Sequence, residues 1–306
     1  MQEVIKKLKK LGAKKIFIQF GEGLKLQIQK IAEKFEKEGF QVFICLEPCY
    51  GACDVRDNEA KLLGCDAILH IGHEKFVKKT SLPVVYWEYF IEANPLPILE
   101  KEFLKLKNFE KIGLITSIQF VKLIPIVKKF LEERGKKVFS QKSLRYAGQI
   151  LGCDLRAAKA IEKKVDCFLC ISAGKFYGAG VVLITNKPVL NLDLEKGEIY
   201  SLENFKKKTE KILAWNKSLF NEAKNVGILV SWKKGQLKNP LPVKEEVEKL
   251  GKKVYILAMD EITPEKLEGL KIDFLINLAC PRIGIDDLEK FKIPVLNFSS
   301  LKDLNG

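Results

Sequence analysis

Short apolar runs recur along the chain, separated by amphipathic stretches rich in Lys and Glu, and their order repeats three times. Each cycle opens on an apolar run: Ile16–Phe20, Ile112–Ile115 and Val226–Val230. A helical stretch follows, and then the pattern Gly-x-x-Val-aromatic at Gly39–Phe43, Gly135–Phe139 and Gly251–Tyr255. Glycine there suits the left-handed residue that ends a helix, and Val-aromatic suits the strand that comes next. Further on, Asp precedes an apolar run at Asp66–Leu69, Asp166–Leu169 and Asp273–Ile276. Pro then starts a last apolar run at Pro83–Val85, Pro188–Leu190 and Pro294–Leu296, a place where its missing N–H costs no ladder hydrogen bond.

Each cycle therefore reads strand, helix, strand, helix, strand, connection, strand. Near-continuous apolar strands alternating with helices predict parallel sheets covered on both faces. The expected fold is α/β, with three repeated modules, each a small mostly parallel sheet flanked by helices, arranged around a central site. The expected modules are residues 1–106 with Cys53, 107–222 with Cys153 and 223–306 with Cys280. Met1–Lys15 reads as a basic amphipathic helix without the apolar centre and cleavage site of a secretion signal. No apolar run approaches the ~20 residues of a membrane span, so a cytoplasmic protein is expected.

Composition changes this picture in two ways. The net charge of +14 permits an acidic partner, but only five of the 53 basic residues are Arg, which argues against specific nucleic-acid recognition. A Lys- and Glu-rich surface serves solubility or heat tolerance equally well. The eight cysteines are many for a reducing compartment, where distant cysteines point to metal or redox chemistry. Cys45, Cys65, Cys167 and Cys170 lie in or beside apolar runs and read as small core residues.

Ligands of parallel α/β folds bind beyond the carboxyl ends of strands, so candidate chemistry belongs at those positions. Gly21-Glu22-Gly23 could cradle an anion or simply turn a strand into a helix. Glu47–Arg56 carries Cys49-x-x-x-Cys53, the start of the usual radical S-adenosylmethionine motif, but Arg56 stands where the third cysteine belongs. Any cluster must find its other ligands elsewhere. Cys153 follows the second strand of its module and Cys280 the third of its own, so exact repetition does not explain the triplet. Arg56, Arg156 and Arg282 each lie within three residues of one of these thiols, and cations favour thiolates. A four-thiol zinc site from Cys49, Cys53, Cys167 and Cys170 is disfavoured, because residues three apart on a strand face opposite ways.

Together the motifs resemble the archaeal diphthamide-biosynthesis enzymes, the 2-(3-amino-3-carboxypropyl)histidine synthases. The resemblance rests on Tyr50-Gly51-Ala52-Cys53-Asp54 and Ala279-Cys280-Pro281-Arg282. It is extended by Glu22-Gly23-Leu24, His70-Ile71-Gly72-His73, Gly148–Cys153, Ser231 with Lys234-Gly235-Gln236, and Asp286-Asp287. It implies a 4Fe–4S cluster on Cys53, Cys153 and Cys280, with Cys49 as an extra thiol. It also implies S-adenosylmethionine as co-substrate. The 3-amino-3-carboxypropyl group would pass as a radical to a histidine C2 carbon of translation elongation factor 2, leaving methylthioadenosine. Arg282, Gln236 and Gly235 are the expected S-adenosylmethionine contacts, with pairing of Arg282 to Asp286 or Asp287 as the structural alternative. No side-chain acid or base is expected beyond the cluster. His70 and His73, the only histidines, read as structural. The resemblance further implies a homodimer and an external electron donor. One departure is Phe176-Tyr177-Gly178-Ala179-Gly180, where the family often has Phe-His-Pro-Leu-Gly.

Two other classes compete. Quinolinate synthase resembles the same plan of three modules with one cysteine each, using its cluster as a Lewis acid. A basic RNA- or ribosome-binding protein with a structural metal is the non-enzymatic reading, although no interleaved aromatic–basic motif supports it.

Overall fold

The computed structural model describes residues 1–301, so residues 302–306 of the expected third module lie outside it. It contains three mostly parallel sheets flanked by helices. The first holds β1 (Lys15–Phe20), β2 (Gln41–Ile44), β3 (Ala67–Ile71) and β4 (Val84–Trp87) in the order β2-β1-β3-β4, all parallel. The second holds β5 (Lys111–Thr116), β6 (Lys137–Phe139), β7 (Cys167–Ser172), β8 (Val189–Asp193) and β9 (Glu198–Ser201) in the order β6-β5-β7-β8-β9. The third holds β10 (Asn225–Ser231), β11 (Lys253–Met259), β12 (Phe274–Asn277) and β13 (Val295–Asn297) in the order β11-β10-β12-β13. The three orders are one topology, with β9 added as an antiparallel edge strand on the second sheet.

The sequence repeats acquire physical meaning here. Gly39, Gly135 and Gly251 adopt φ of 92°, 79° and 76°, the left-handed region that a side chain resists, and each releases a helix into the second strand of its sheet. The repeated Asp is a clasp. Asp66 Oδ2 accepts the N–H groups of Lys14 and Lys15, Asp166 those of Glu110 and Lys111, and Asp273 those of Lys224 and Asn225. In every sheet this pins the start of the first strand to the strand beside it. The same backbone bonds hold all three carboxyls below their ordinary pKa. The repeated Pro contributes only its carbonyl: those of Pro83, Pro188 and Pro294 accept the N–H of Ile68, Phe168 and Leu275.

Every sheet has a core on each face, as continuous apolar strands require. In the first, Ile16, Ile18 and Phe20 of β1 enter one core and Phe17 the other. In the second, Cys167 enters one core and Cys170 the opposite one.

The chain divides into two compact units. One is Met1–Phe90 together with Lys233–Gln236; the other is Ile91–Trp232 with the chain from Leu237 onward. The second unit contains both the second and the third sheet. Its long helix Glu203–Glu222 contacts the helix Phe176–Ile184 and β13. Leu99 and Leu106, from the stretch before β5, pack into the core of the second sheet. No helix among the described residues is long and apolar enough to cross a membrane.

Candidate metal centre

In the first unit the chain leaves β2 and runs through Cys49 to Cys53. The Cys53 loop is gripped by the short segment Lys233–Gln236. Gly235 N–H donates to the Cys53 carbonyl at 2.8 Å. A Cβ on Gly235 would lie 2.5 Å from Cys53 Cα and 2.8 Å from its carbonyl oxygen, so only glycine allows this approach. Gln236 Nε2 lies 3.4 Å from Cys53 Sγ and donates to it. On either side, Lys233 Nζ pairs with Asp54 at 2.5 Å and Lys234 Nζ with Asp57 at 2.6 Å. Gln19 on β1 completes the frame: its Nε2 donates to the Asp54 carbonyl at 2.8 Å and its Oε1 accepts Arg56 N–H at 3.2 Å.

These contacts set the local electrostatics. Burial pushes the Cys53 thiol up; the Gln236 hydrogen bond and the Lys233 charge pull it back, and Asp54 opposes them. Burial also disfavours the Asp57 carboxylate, but bonds from Lys234 and from Ser81 outweigh it and hold the group below its usual range. The cation that acts on Cys53 is thus Lys233. Arg56, buried beside Asp54, turns its Nη1 to Glu59 at 3.3 Å.

In the second unit Cys280 follows β12 and Cys153 follows β6. Asparagines shape the Cys280 loop. Asn277 Nδ2 donates to the Cys280 carbonyl at 2.8 Å and to Asn297 Oδ1 at 2.7 Å, while Asn297 Nδ2 donates to the Pro281 carbonyl at 2.8 Å. Arg282 joins this loop to its surroundings. Its Nη2 donates to the Phe176 carbonyl at 2.6 Å and to Asp286 Oδ1 at 2.8 Å, and its guanidinium lies 4.1 Å over the Phe176 ring. Gly180 leaves room for it, since a Cβ there would sit 2.5 Å from Nη1, and Gly152, next to Cys153, leaves room for the Phe176 ring, which a Cβ would meet at 2.8 Å. Arg282 is therefore the brace of the Cys280 loop, paired to Asp286. Its buried Nη1 has no hydrogen-bond partner among the described residues. Phe176-Tyr177-Gly178-Ala179-Gly180 forms the start of a helix, and its second glycine accommodates the arginine. Arg156 differs: it is exposed and forks onto Asp154.

The eight thiols fall into two groups. Cys45, Cys49, Cys65, Cys167 and Cys170 are buried, and only Cys53, Cys153 and Cys280 reach solvent. Burial pushes Cys167 and Cys170 up to about 12, and their opposite cores rule out the four-thiol zinc site. Cys49, read as a loop thiol, is 2 % exposed. Its Sγ is 3.8 Å from His70 Nε2, which in turn is 3.0 Å from His73 Nδ1. Burial lowers His70 to about 3 and His73 to about 4, so both rings are neutral. Gly21-Glu22-Gly23 turns β1 into a short 3-10 helix, Glu22–Gln27. Lys233 and Asp57 carry no sequence motif of their own, and Asp54 stands only as the last residue of the Tyr50–Asp54 motif. The only signals were their adjacency to Cys53 and to Lys234-Gly235-Gln236.

Fold and thiols together define the class: a three-sheet α/β protein that buries five cysteines and leaves three partly exposed, soft donors of the kind that bind metals, on loops that follow strands. Known proteins narrow this. The family model described as "Putative diphthamide synthesis protein" matches residues 20–302. The curated 2-(3-amino-3-carboxypropyl)histidine synthase of Pyrococcus horikoshii is 31 % identical over 99 % of this chain and 89 % of its own. That of Methanocaldococcus jannaschii is 30 % identical over 96 % and 86 %. The crystal structure of Dph2 from Pyrococcus horikoshii with a 4Fe–4S cluster superposes with a TM-score of 0.86, at 31 % identity over 99 % of this chain and 89 % of that one. The chain belongs to the diphthamide synthesis family.

Proposed function

We propose that the chain is a 2-(3-amino-3-carboxypropyl)histidine synthase. It would move the 3-amino-3-carboxypropyl group of S-adenosylmethionine to a histidine C2 carbon of translation elongation factor 2 by a radical route. The observation that carries this is the sorting of the cysteines: the three at the family's motif positions are the three that reach solvent. Relatives bearing the synthase name, and a relative crystallised with a 4Fe–4S cluster, support the assignment.

The residues fit such a cluster. Cys53, Cys153 and Cys280 offer soft sulfur donors, and Gln236 already donates a hydrogen bond to one of them, the kind of contact that tunes a cluster's potential. When bound, the cluster supplies the single electron that breaks a carbon–sulfur bond of the sulfonium. The chain's own residues do the rest. Gly235 and Gln236 fix the Cys53 loop and its sulfur. The asparagine pair and Arg282 fix the Cys280 loop. The unpartnered Nη1 of Arg282 is the group proposed to hold the methionine carboxylate, while Nη2 keeps its structural bonds. A homodimer, an external electron donor and a cytoplasmic setting complete the proposal.

The test is anaerobic. Cluster-loaded protein is reduced with dithionite, given S-adenosylmethionine, and its nucleoside product identified. Methylthioadenosine formed only by the reduced, loaded protein is the expected result. Deoxyadenosine, or no cleavage by a fully loaded cluster, contradicts the assignment; the latter with dihydroxyacetone-phosphate dependence would indicate quinolinate-synthase chemistry.

A further inference from the structure

The first unit holds a second group of donor atoms that this chemistry does not use. We propose that Cys49 Sγ, His70 Nε2 and His73 Nδ1 form a separate metal site, a two-histidine, one-cysteine set for a borderline divalent ion such as zinc.

The three atoms lie within 4.8 Å of one another. Tetrahedral zinc, with Zn–N near 2.0–2.1 Å and Zn–S near 2.3 Å, sets its ligand atoms about 3.3 Å apart for N···N and about 3.6 Å for S···N. The observed 3.0 Å and 3.8 Å are each within a few tenths of an ångström of those values. Backbone elements, not flexible tails, supply the ligands. His70 is on β3, Gly72 turns the chain with φ 95°, and His73 comes back beside His70. Cys49 arrives from the loop after β2.

Hydrogen bonding alone serves this trio poorly. His70 Nε2 carries either one proton or one lone pair, yet it faces both the Cys49 thiol and His73 Nδ1. The thiol's other acceptors, the carbonyls of Gly51 and Asp54, are at 3.6 and 3.9 Å. On the far side of the ring, Nδ1 is buried without a hydrogen bond, and it carries the ring proton when Nε2 binds a metal. A metal ion satisfies all three donor atoms at once. It takes neutral imidazoles, the form both rings hold, and displaces the thiol proton to solvent. His73 is only half-buried, which leaves a solvent molecule access to a fourth position.

Zinc and iron are counted per chain in the full-length, cluster-loaded protein after exposure to zinc and desalting. One zinc per chain is expected in the wild type. His73→Gln and Cys49→Ser should lower zinc at least tenfold with iron unchanged. In competition with a chromogenic chelator, the wild type should bind zinc with Kd below about 1 μM. A second measurement does not depend on those variants. Cobalt(II) added to the Cys53→Ala/Cys153→Ala/Cys280→Ala protein should give a thiolate-to-cobalt charge-transfer band in the near ultraviolet. No retained zinc in the wild type, zinc retained equally by His73→Gln, or a missing cobalt band overturns the site and leaves a hydrogen-bonded trio.

Discussion

The surroundings of Cys53 and of Cys280 solve one problem by different means. Both hold a partly exposed thiol on a loop that follows a strand. Around Cys53 the grip is backbone on backbone and charge on charge: Gly235 against the Cys53 main chain, Lys233 on buried Asp54, Gln236 on the sulfur itself. Around Cys280 the loop is built from neutral asparagine bonds, and a single arginine ties it to an aromatic ring and a carboxylate. In the first frame Gly235 lies against backbone, whereas in the second Gly152 faces the Phe176 ring, a residue 39 % exposed.

The comparison breaks most sharply at the thiols. Cys53→Ala, Cys153→Ala and Cys280→Ala should each reduce cluster iron and activity to background, whereas Cys49→Ala should keep the iron; iron and sulfide analysis decides. Next comes charge. Lys233→Met strips buried Asp54 of its shortest ion pair and leaves Arg56 Nε at 3.9 Å, and should cost about 3 kcal/mol in denaturant unfolding of the apoprotein. A matched glycine pair then sharpens the contrast. Gly235→Ala meets backbone at 2.5 Å and should cost about 1–3 kcal/mol together with cluster occupancy. Gly152→Ala meets the Phe176 ring at 2.8 Å, which can swing into solvent, so its loss should be smaller and its iron content near normal.

The smallest effect concerns the three Asp clasps, which are common to all the sheets. Their folded pKa values are depressed, so the stability they add is present above the ordinary carboxylate value of 3.8 and lost as pH falls through the lower folded value. Asp66→Asn should lower the melting temperature slightly at neutral pH and make no difference once the wild-type carboxylate is protonated. An equal difference at both pH values would show that the clasp acts through shape and not charge.

Much of the fold was legible because its devices are local. A helix-ending glycine, an Asp clasp and a strand-opening Pro each act within a few residues of a sequence landmark, so the repeat announced three sheets of one topology. The accessible thiols were legible for a related reason: Cys53, Cys153 and Cys280 sit in loops, outside the apolar runs that bury Cys167 and Cys170. What stayed hidden was long-range. That Lys233–Gln236 belongs with the first unit depends on contacts spanning about 180 residues of chain, and the motif beside Lys233 does not say which cysteine loop it meets. The arginines near the thiols in sequence have different surroundings in space. Arg156 faces solvent, Arg56 serves Glu59, and the cation beside Cys53 is a lysine. The edge strand β9 carries no counterpart in the other two sheets, so the repeat gave no warning of it.

Transfer of the 3-amino-3-carboxypropyl group to protein tests the proposed synthase activity itself. Reduced, cluster-loaded enzyme is incubated with translation elongation factor 2 and S-adenosylmethionine labelled in its carboxyl carbon, and the factor is digested and analysed by mass spectrometry. One labelled 3-amino-3-carboxypropyl adduct on a single histidine is expected, absent from the Cys53→Ala reaction. Methylthioadenosine formed at full rate with no label on that histidine would contradict it.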